Sequence, residues 1–289
     1  MFGEIAPAII TGLVLGSMYA LAAVGLTLVW GVLKILNFAH GGFITLGAYF
    51  VWVGMTFLGG NYLISLLLVM GLTFLLGFVL NAGVIRPLQG RPESETNIFI
   101  ATLATSIIIE NLIIVGFGGR YKSIPALASG SITIGPLSIN FQQMIIMAVA
   151  PVFLVVLMYY LKKMKSGMAV RAVAQDADGA AIVGIDSNRV YSYTIAIGAL
   201  MAGVAGVLLG VIFYLSPGMG GDPLVRALFI MVLGGMGSVK GTIYGAYIIG
   251  IIDALARYFI GMFWASPILF VMFILLLLLR PQGLFGVKV

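Results

Sequence analysis

Four groups of residues in this chain of 289 carry side chains capable of chemistry or specific recognition. The first is Glu110 with Asn111, inside the apolar run ATLATSIIIENLIIVGF. An ionisable group at the centre of a membrane helix costs about 2.5–3.5 kcal/mol on insertion scales, so it needs a partner, a cavity or a proton. Glu110 and Asn111 therefore read either as part of a solute pathway or as a structural hydrogen bond to a neighbouring helix. The second group is Asn37 and His40, followed by Gly41 and Gly42, at the inner end of the second apolar run. It reads as a gate or pathway element, or as an N-cap asparagine beside a satisfied loop histidine. The third is Asp253 with Arg257, whose spacing puts opposite charges on one helix face, as a structural ion pair. The fourth is the polar stretch SGMAVRAVAQDADGAAIVGIDSNRV. Here Asp176 caps a short helix through Ala177, Ala180, Ala181 and Val183, and Gly184 stands where a helix ends on glycine. A water-facing helix of alanines has no core of its own. It docks into another protein's groove or lies on anionic lipid.

Other chemistry is missing from the sequence. A phosphate-cradling G-x-x-x-x-G-K-[ST] is approached only at Gly234 to Lys240, where Val239 replaces the second glycine and Gly241 follows the lysine. No G-x-S-x-G or H-E-x-x-H occurs. With no cysteine and one histidine, neither a disulfide framework, a thiolate metal site nor a multi-histidine metal site can be built. The chain is expected to be non-catalytic and to hold no cofactor. Its net charge of +6 needs no nucleic acid to explain it if the basic residues lie in cytoplasmic loops.

These groups are held by very apolar elements. Hydrophobic residues make up 62% of the chain, charged residues 8%, and the mean hydropathy is +1.18. A soluble domain carries roughly 25% charged residues. The apolar runs are continuous and about twenty residues long, which predicts an all-α polytopic helix bundle rather than a barrel of alternating strands. Spans are expected at 5–33, 37–58, 62–86, 98–117, 141–162, 190–214, 222–238, 241–262 and 265–280. The first, preceded by Glu4 without a basic n-region, is expected to be retained. The seventh is short and rich in glycine (Gly234, Gly235, Gly237), which predicts a broken or re-entrant helix and a total of eight or nine spans. The whole chain, 1–289, reads as one transmembrane domain. An outer loop, 118–140, has a small hairpin at Ser131 to Ile139, and Ser216 to Gly221 form an outer turn. A long inner loop covers 163–189.

With the N-terminus outside, Lys34, Arg86, Arg91, Lys162, Lys163, Lys165, Arg171, Arg189, Lys240, Arg280 and Lys288 fall inside. Only Arg120, Lys122, Arg226 and Arg257 fall outside or near the outer ends, so the positive-inside rule favours this orientation. Nine crossings then leave the C-terminus in the cytoplasm. Glycine pairs at small-xxx-small spacing (Gly12 and Gly16, Gly206 and Gly210, Gly241 and Gly245) are expected to pack helices tightly within the subunit.

The order Arg171-Ala172, Asp176, Ala180-Ala181, Gly184-Ile185 resembles the coupling loop of ABC importer permeases. GLTLVWGVLKILNFAHGGFITLGAY (Gly25 to Tyr49), GGMGSVKGTIYGAYIIG (Gly234 to Gly250) and RPQGLFG (Arg280 to Gly286) resemble the branched-chain amino acid permeases, the H-type subunit of the leucine/isoleucine/valine importer, in order along the chain. The resemblance implies a multi-pass subunit of the bacterial inner membrane. It implies two ATPase subunits that hold ATP and Mg, a second related permease chain and an external solute-binding protein. It also implies that Arg171 to Ile185 insert into a cleft of the ATPase. Many members carry an acid after the His-Gly pair, where this chain has Gly42. Relatives with similar signatures handle urea, short amides and aromatic acids. The alternative is a stand-alone secondary transporter or channel for a small polar solute, suggested by the glycine block at 234–241 and a faint echo between GFITLGAY and GTIYGAY.

Overall fold

The computed structural model describes residues 2–57, 59–134, 137–280 and 282–285. Gly135 and Pro136 of the outer loop, and Pro281, Gly286 and Lys288 near the C-terminus, lie outside them. The helices are α1 (Phe2–Leu33), α2 (Ala39–Phe57), α3 (Tyr62–Leu80), α4 (Ser94–Phe117), α5 (Phe141–Lys163), α6 (Lys165–Gln175), α7 (Ala177–Ile182), α8 (Ser187–Ile212), α9 (Gly221–Gly234), α10 (Val239–Phe259) and α11 (Met262–Leu279). A π-turn over Asn81–Ile85 and a 3-10 turn over Arg86–Leu88 prolong α3. The hairpin β1 (Ser131–Ile134) and β2 (Leu137–Asn140) is the one expected in the 118–140 loop.

The chain is an all-α bundle. Seven helices are long and apolar enough to cross a membrane: α1, α3, α4, α5, α8, α10 and α11. Two further segments, α2 and α9, alternate in direction with them, so that nine segments run back and forth among the described residues. Lys34, Lys162, Arg171 and Lys240 meet at one end of the bundle, the basic end. The hairpin lies at the other.

The centre is α1, packed between α8, α9 and α10, with Met18, Leu21 and Ala22 fully buried. Its contact with α10 depends on glycine. A Cβ on Gly12 would stand 2.7 Å from Ile251 Cα, and one on Gly16 2.9 Å from Tyr247 Cα. A Cβ on Gly206 would strike the Ile44 carbonyl oxygen, and one on Gly241 the Gly234 carbonyl oxygen. The small-residue pairs thus join helices of this one chain, where close approach gains van der Waals contact that lipid cannot compete for. At the rim, α3, α4 and α11 expose leucine, isoleucine, valine and phenylalanine, including Leu67, Leu75, Val115, Phe270 and Leu278. Such a surface suits hydrocarbon.

Two segments depart from the expected spans. Residues 34–38 are not helical, and Lys34 ends α1 with φ +57°. The chain then climbs back into the bundle before α2 begins at Ala39. His40 donates from Nε2 to the Ala22 carbonyl, 2.8 Å away. Ala22 is about 16 Å along the α1 axis from Leu33, at 1.5 Å per residue. His40 is therefore near mid-depth and wholly buried, not at the inner end of the second span where the sequence placed it. The Ser216–Gly221 turn behaves likewise. It folds inward against α2 instead of lying wholly on the outer face, and Gly220 and Pro217 are buried. From there α9 covers about 21 Å with its fourteen residues, less than a hydrocarbon core. It is the short segment expected near 222–238; it is one continuous helix that starts inside the bundle, and Gly235 and Gly237 follow its end rather than breaking it.

Candidate functional site

The N-termini of α2 and α9 meet inside the bundle. Thr45 Oγ1 accepts the Gly220 N–H at 3.0 Å, and a Cβ on Gly220 would collide with the Gly41 carbonyl oxygen. Asn37 caps α2: its Oδ1 accepts the Ala39 N–H at 3.1 Å. The cap seen in the sequence is real, although it operates at depth rather than at the surface. Phe38 is steadied by α4, where Thr102 Oγ1 accepts its N–H at 3.2 Å.

Glu110 lies beside this junction. A small cavity of about 60 Å³ is lined by Gly41, Gly42, Thr45, Ser106, Glu110 and Gly218. That is room for water molecules only. A Cβ on Gly218 would stand 3.0 Å from Glu110 Oε1. The Glu110 side chain is exposed on the outside of the bundle, and among the described residues nothing bonds to its carboxylate. Asn111 donates to the Ile107 carbonyl of its own helix at 2.8 Å, so neither residue forms the bond to a neighbouring helix that was the structural alternative. Position 42 opens onto the same cavity as Glu110. Gly41 and Gly42, which follow His40 in the chain, line this cavity with Glu110. The His40 ring points the other way, into α1, so no acid–base pair forms.

Asp253 and Arg257 form the expected pair, with Arg257 Nε 3.0 Å from Oδ1 and Nη2 3.0 Å from Oδ2. The pair belongs to a larger cluster. Arg226 on α9 is buried, with Nε 3.3 Å from Asp253 Oδ2, and it also pairs with Asp222 and donates to Ser266 at 3.1 Å. Tyr19 donates to Asp253 at 3.2 Å. The cluster ties α1, α9, α10 and α11 together, and each buried charge has a partner of opposite sign. Arg226 was not expected here. Its signal was the i,i+4 pair Asp222–Arg226, which repeats the spacing of Asp253–Arg257 in a span running the opposite way.

At the basic end, the 163–189 loop holds two helices where one was expected. On α6, Val170 and Val173 are buried against the bundle while Arg171 faces out and Ala172 is half-buried. Asp176 Oδ1 then caps α7, accepting the N–H groups of Asp178 at 3.1 Å and Gly179 at 3.0 Å. Ala180 is buried. The Gly184 N–H bonds the Ala181 carbonyl and the Ile185 N–H the Ala180 carbonyl, both at 3.0 Å, with Gly184 at φ +84°. This is a Schellman termination, which a glycine in the left-handed region makes easy. The result is a rigid knob. Ala181 and Gly184 are exposed, Ile185 is half-buried, and Ile182 and Val183 are 87% and 74% exposed.

Residues 8–279 match the family model of the permease component of branched-chain amino acid transport systems. The chain belongs to this family. It is therefore a transport permease component of a multi-pass membrane type and not itself an enzyme. Among similar curated proteins is the high-affinity branched-chain amino acid transport system permease BraD of Pseudomonas aeruginosa. It is 32% identical, over 96% of this chain and 94% of that protein. The corresponding permease LivH of Escherichia coli is 33% identical, over 95% of this chain and 93% of its own length. The probable branched-chain amino acid permease LivH of Methanocaldococcus jannaschii is 26% identical, over 95% and 90%. No solved structure matches the chain.

Proposed function

We propose that this permease is one membrane subunit of an ATP-driven ABC importer in the bacterial inner (plasma) membrane. Residues 1–289 act as one domain, with the basic end and the C-terminus in the cytoplasm. An external solute-binding protein delivers a small apolar or zwitterionic solute, and the names of the relatives support branched-chain amino acids. Two ATPase subunits hold ATP and Mg; this chain holds no cofactor. A second, related permease chain completes the path, which runs past Glu110 and Asn111 and the α2–α9 junction around Asn37 and His40. An ionised carboxylate facing hydrocarbon is costly, so Glu110 on the outside of the bundle is best covered by that second chain or by water in the path.

The observation that carries the coupling is the knob on α7. It projects from the basic end, is braced by α6, and exposes Ile182 and Val183 where a soluble partner can cover them. Arg171, Ala172, Asp176, Ala180, Ala181, Gly184 and Ile185 build and orient it. Closure of the ATPases on ATP moves the knob, and α6 transmits that motion to α5, α8 and α1, which it touches.

Two helix N-termini meeting at mid-depth also occur in stand-alone secondary transporters, and one experiment separates the two readings. Vesicles containing this chain alone should not accumulate leucine. Vesicles containing it with the ATPases, second permease and binding protein of the proposed importer should do so when ATP is supplied. Accumulation by the chain alone would favour the lone carrier.

A further inference from the structure

Lys34 at the end of α1, Lys162 at the end of α5, Arg171 on α6 and Lys240 at the start of α10 line one recess of about 650 Å³. They come from four separate elements, and no Asp or Glu is among the lining residues. Among the described residues none of the four forms an ion pair. The rest of the wall is largely apolar, with Leu28, Val32, Met158, Leu161 and Phe285. Helices α5 and α10 both pack on α1 but hardly on each other, so the recess is a slot between them with α1 as its back. Four like charges in one concavity repel one another, and an anion relieves that repulsion. Lys34 sustains a left-handed backbone (φ +57°) that glycine or asparagine would adopt at less cost.

We propose that this slot is a binding site for an anionic phospholipid of the surrounding leaflet. Its phosphate sits among Lys34, Lys162, Arg171 and Lys240, and an acyl chain lies along Leu28, Val32 and Met158. Basic pockets between membrane helices take lipid headgroups in this way, and long lysine stems let the ammonium groups reach the headgroup level. A purely soluble phosphate would leave the apolar wall uncovered. A docked ATPase would meet α7 first, since Ile182 and Val183 do not line the slot. The proposal requires only that the chain spans a membrane and goes beyond the transport reading.

The test is native mass spectrometry of the purified full chain titrated with phosphatidylglycerol or phosphatidylcholine. Each lysine near an anionic headgroup contributes roughly five-fold in affinity. Phosphatidylglycerol should bind in preference, and the combined change Lys34→Gln, Lys162→Gln, Lys240→Gln should reduce that preference at least about ten-fold. The matching Lys→Arg variant, which preserves charge, should retain it. An unchanged preference in the glutamine variant would overturn the proposal. So would displacement of the lipid by millimolar inorganic phosphate, which would mark a soluble-phosphate site. Loss of ATPase co-purification with lipid preference intact would also overturn it, by assigning the cations to partner docking.

Discussion

Thr45 Oγ1 accepts the backbone N–H of Gly220 at 3.0 Å, inside the bundle and far from both of its ends. This one bond joins the starts of two helices, α2 and α9, that other spans would begin at the membrane surface. The junction leaves no room for a side chain at position 220, where a Cβ would collide with the Gly41 carbonyl oxygen. Gly220→Ala should therefore push α2 and α9 apart, at a cost typical of overpacking, about 1–3 kcal/mol. Thermal unfolding of the purified chain in detergent reads this as a clear fall in Tm. An unchanged Tm would mean that the junction is looser than described.

Asp253 pairs with two arginines at once, Arg226 and Arg257, the former shared with Asp222, and is itself fully buried. Asp253→Asn leaves both guanidinium groups short of their counter-charge and should destabilise the chain by about 3–5 kcal/mol. Adding Arg226→Met should restore part of that loss, because it removes one of the stranded charges. Expression level and detergent Tm of the single and double variants check this. A double variant no better than the single one would show that the cluster is not a charge-balanced unit.

Glu110 is exposed on the outside of the bundle, beside the α2–α9 junction. If it faces the solute path between permease chains, Glu110→Gln should lower ATP-driven leucine uptake several-fold while the subunits still co-purify. Uptake equal to the parent's would remove Glu110 from the path.

The bundle was legible in the sequence because its apolar runs match the thickness of a membrane and its turns carry glycine, proline and charge. The Asp253–Arg257 pair was legible from spacing alone, as was the α7 cap, since Asp176 and Gly184 act through the backbone next to them. The depth of His40 was not. Hydropathy treats 37–58 as one span, whereas the five residues after Leu33 climb into the bundle unwound, held by Asn37 and Thr102. Arg226 was misplaced for a related reason. Its partners Tyr19 and Asp253 are remote in sequence, so the sequence placed it only outside or near an outer end and not in a buried cluster. Helix α6 was missed although its stripe is present in the sequence: Gly167, Val170 and Val173 recur every third residue and are buried, but the segment is too short and too weakly apolar overall to stand out beside the spans.

The parent chain has no cysteine, so a single one placed at an exposed position reports on one contact only. Ile182→Cys puts a thiol at the tip of α7 without disturbing packing, because that side chain is 87% exposed. In membranes containing the assembled importer, a short bifunctional maleimide should join Ile182→Cys to a cysteine in the ATPase cleft, and the yield should change when ATP is added. Tyr121→Cys, on the hairpin-end loop, should give no such product. A cross-link from position 121 but none from position 182 would contradict the account, because the knob on α7 would then not be where hydrolysis is transmitted to the bundle.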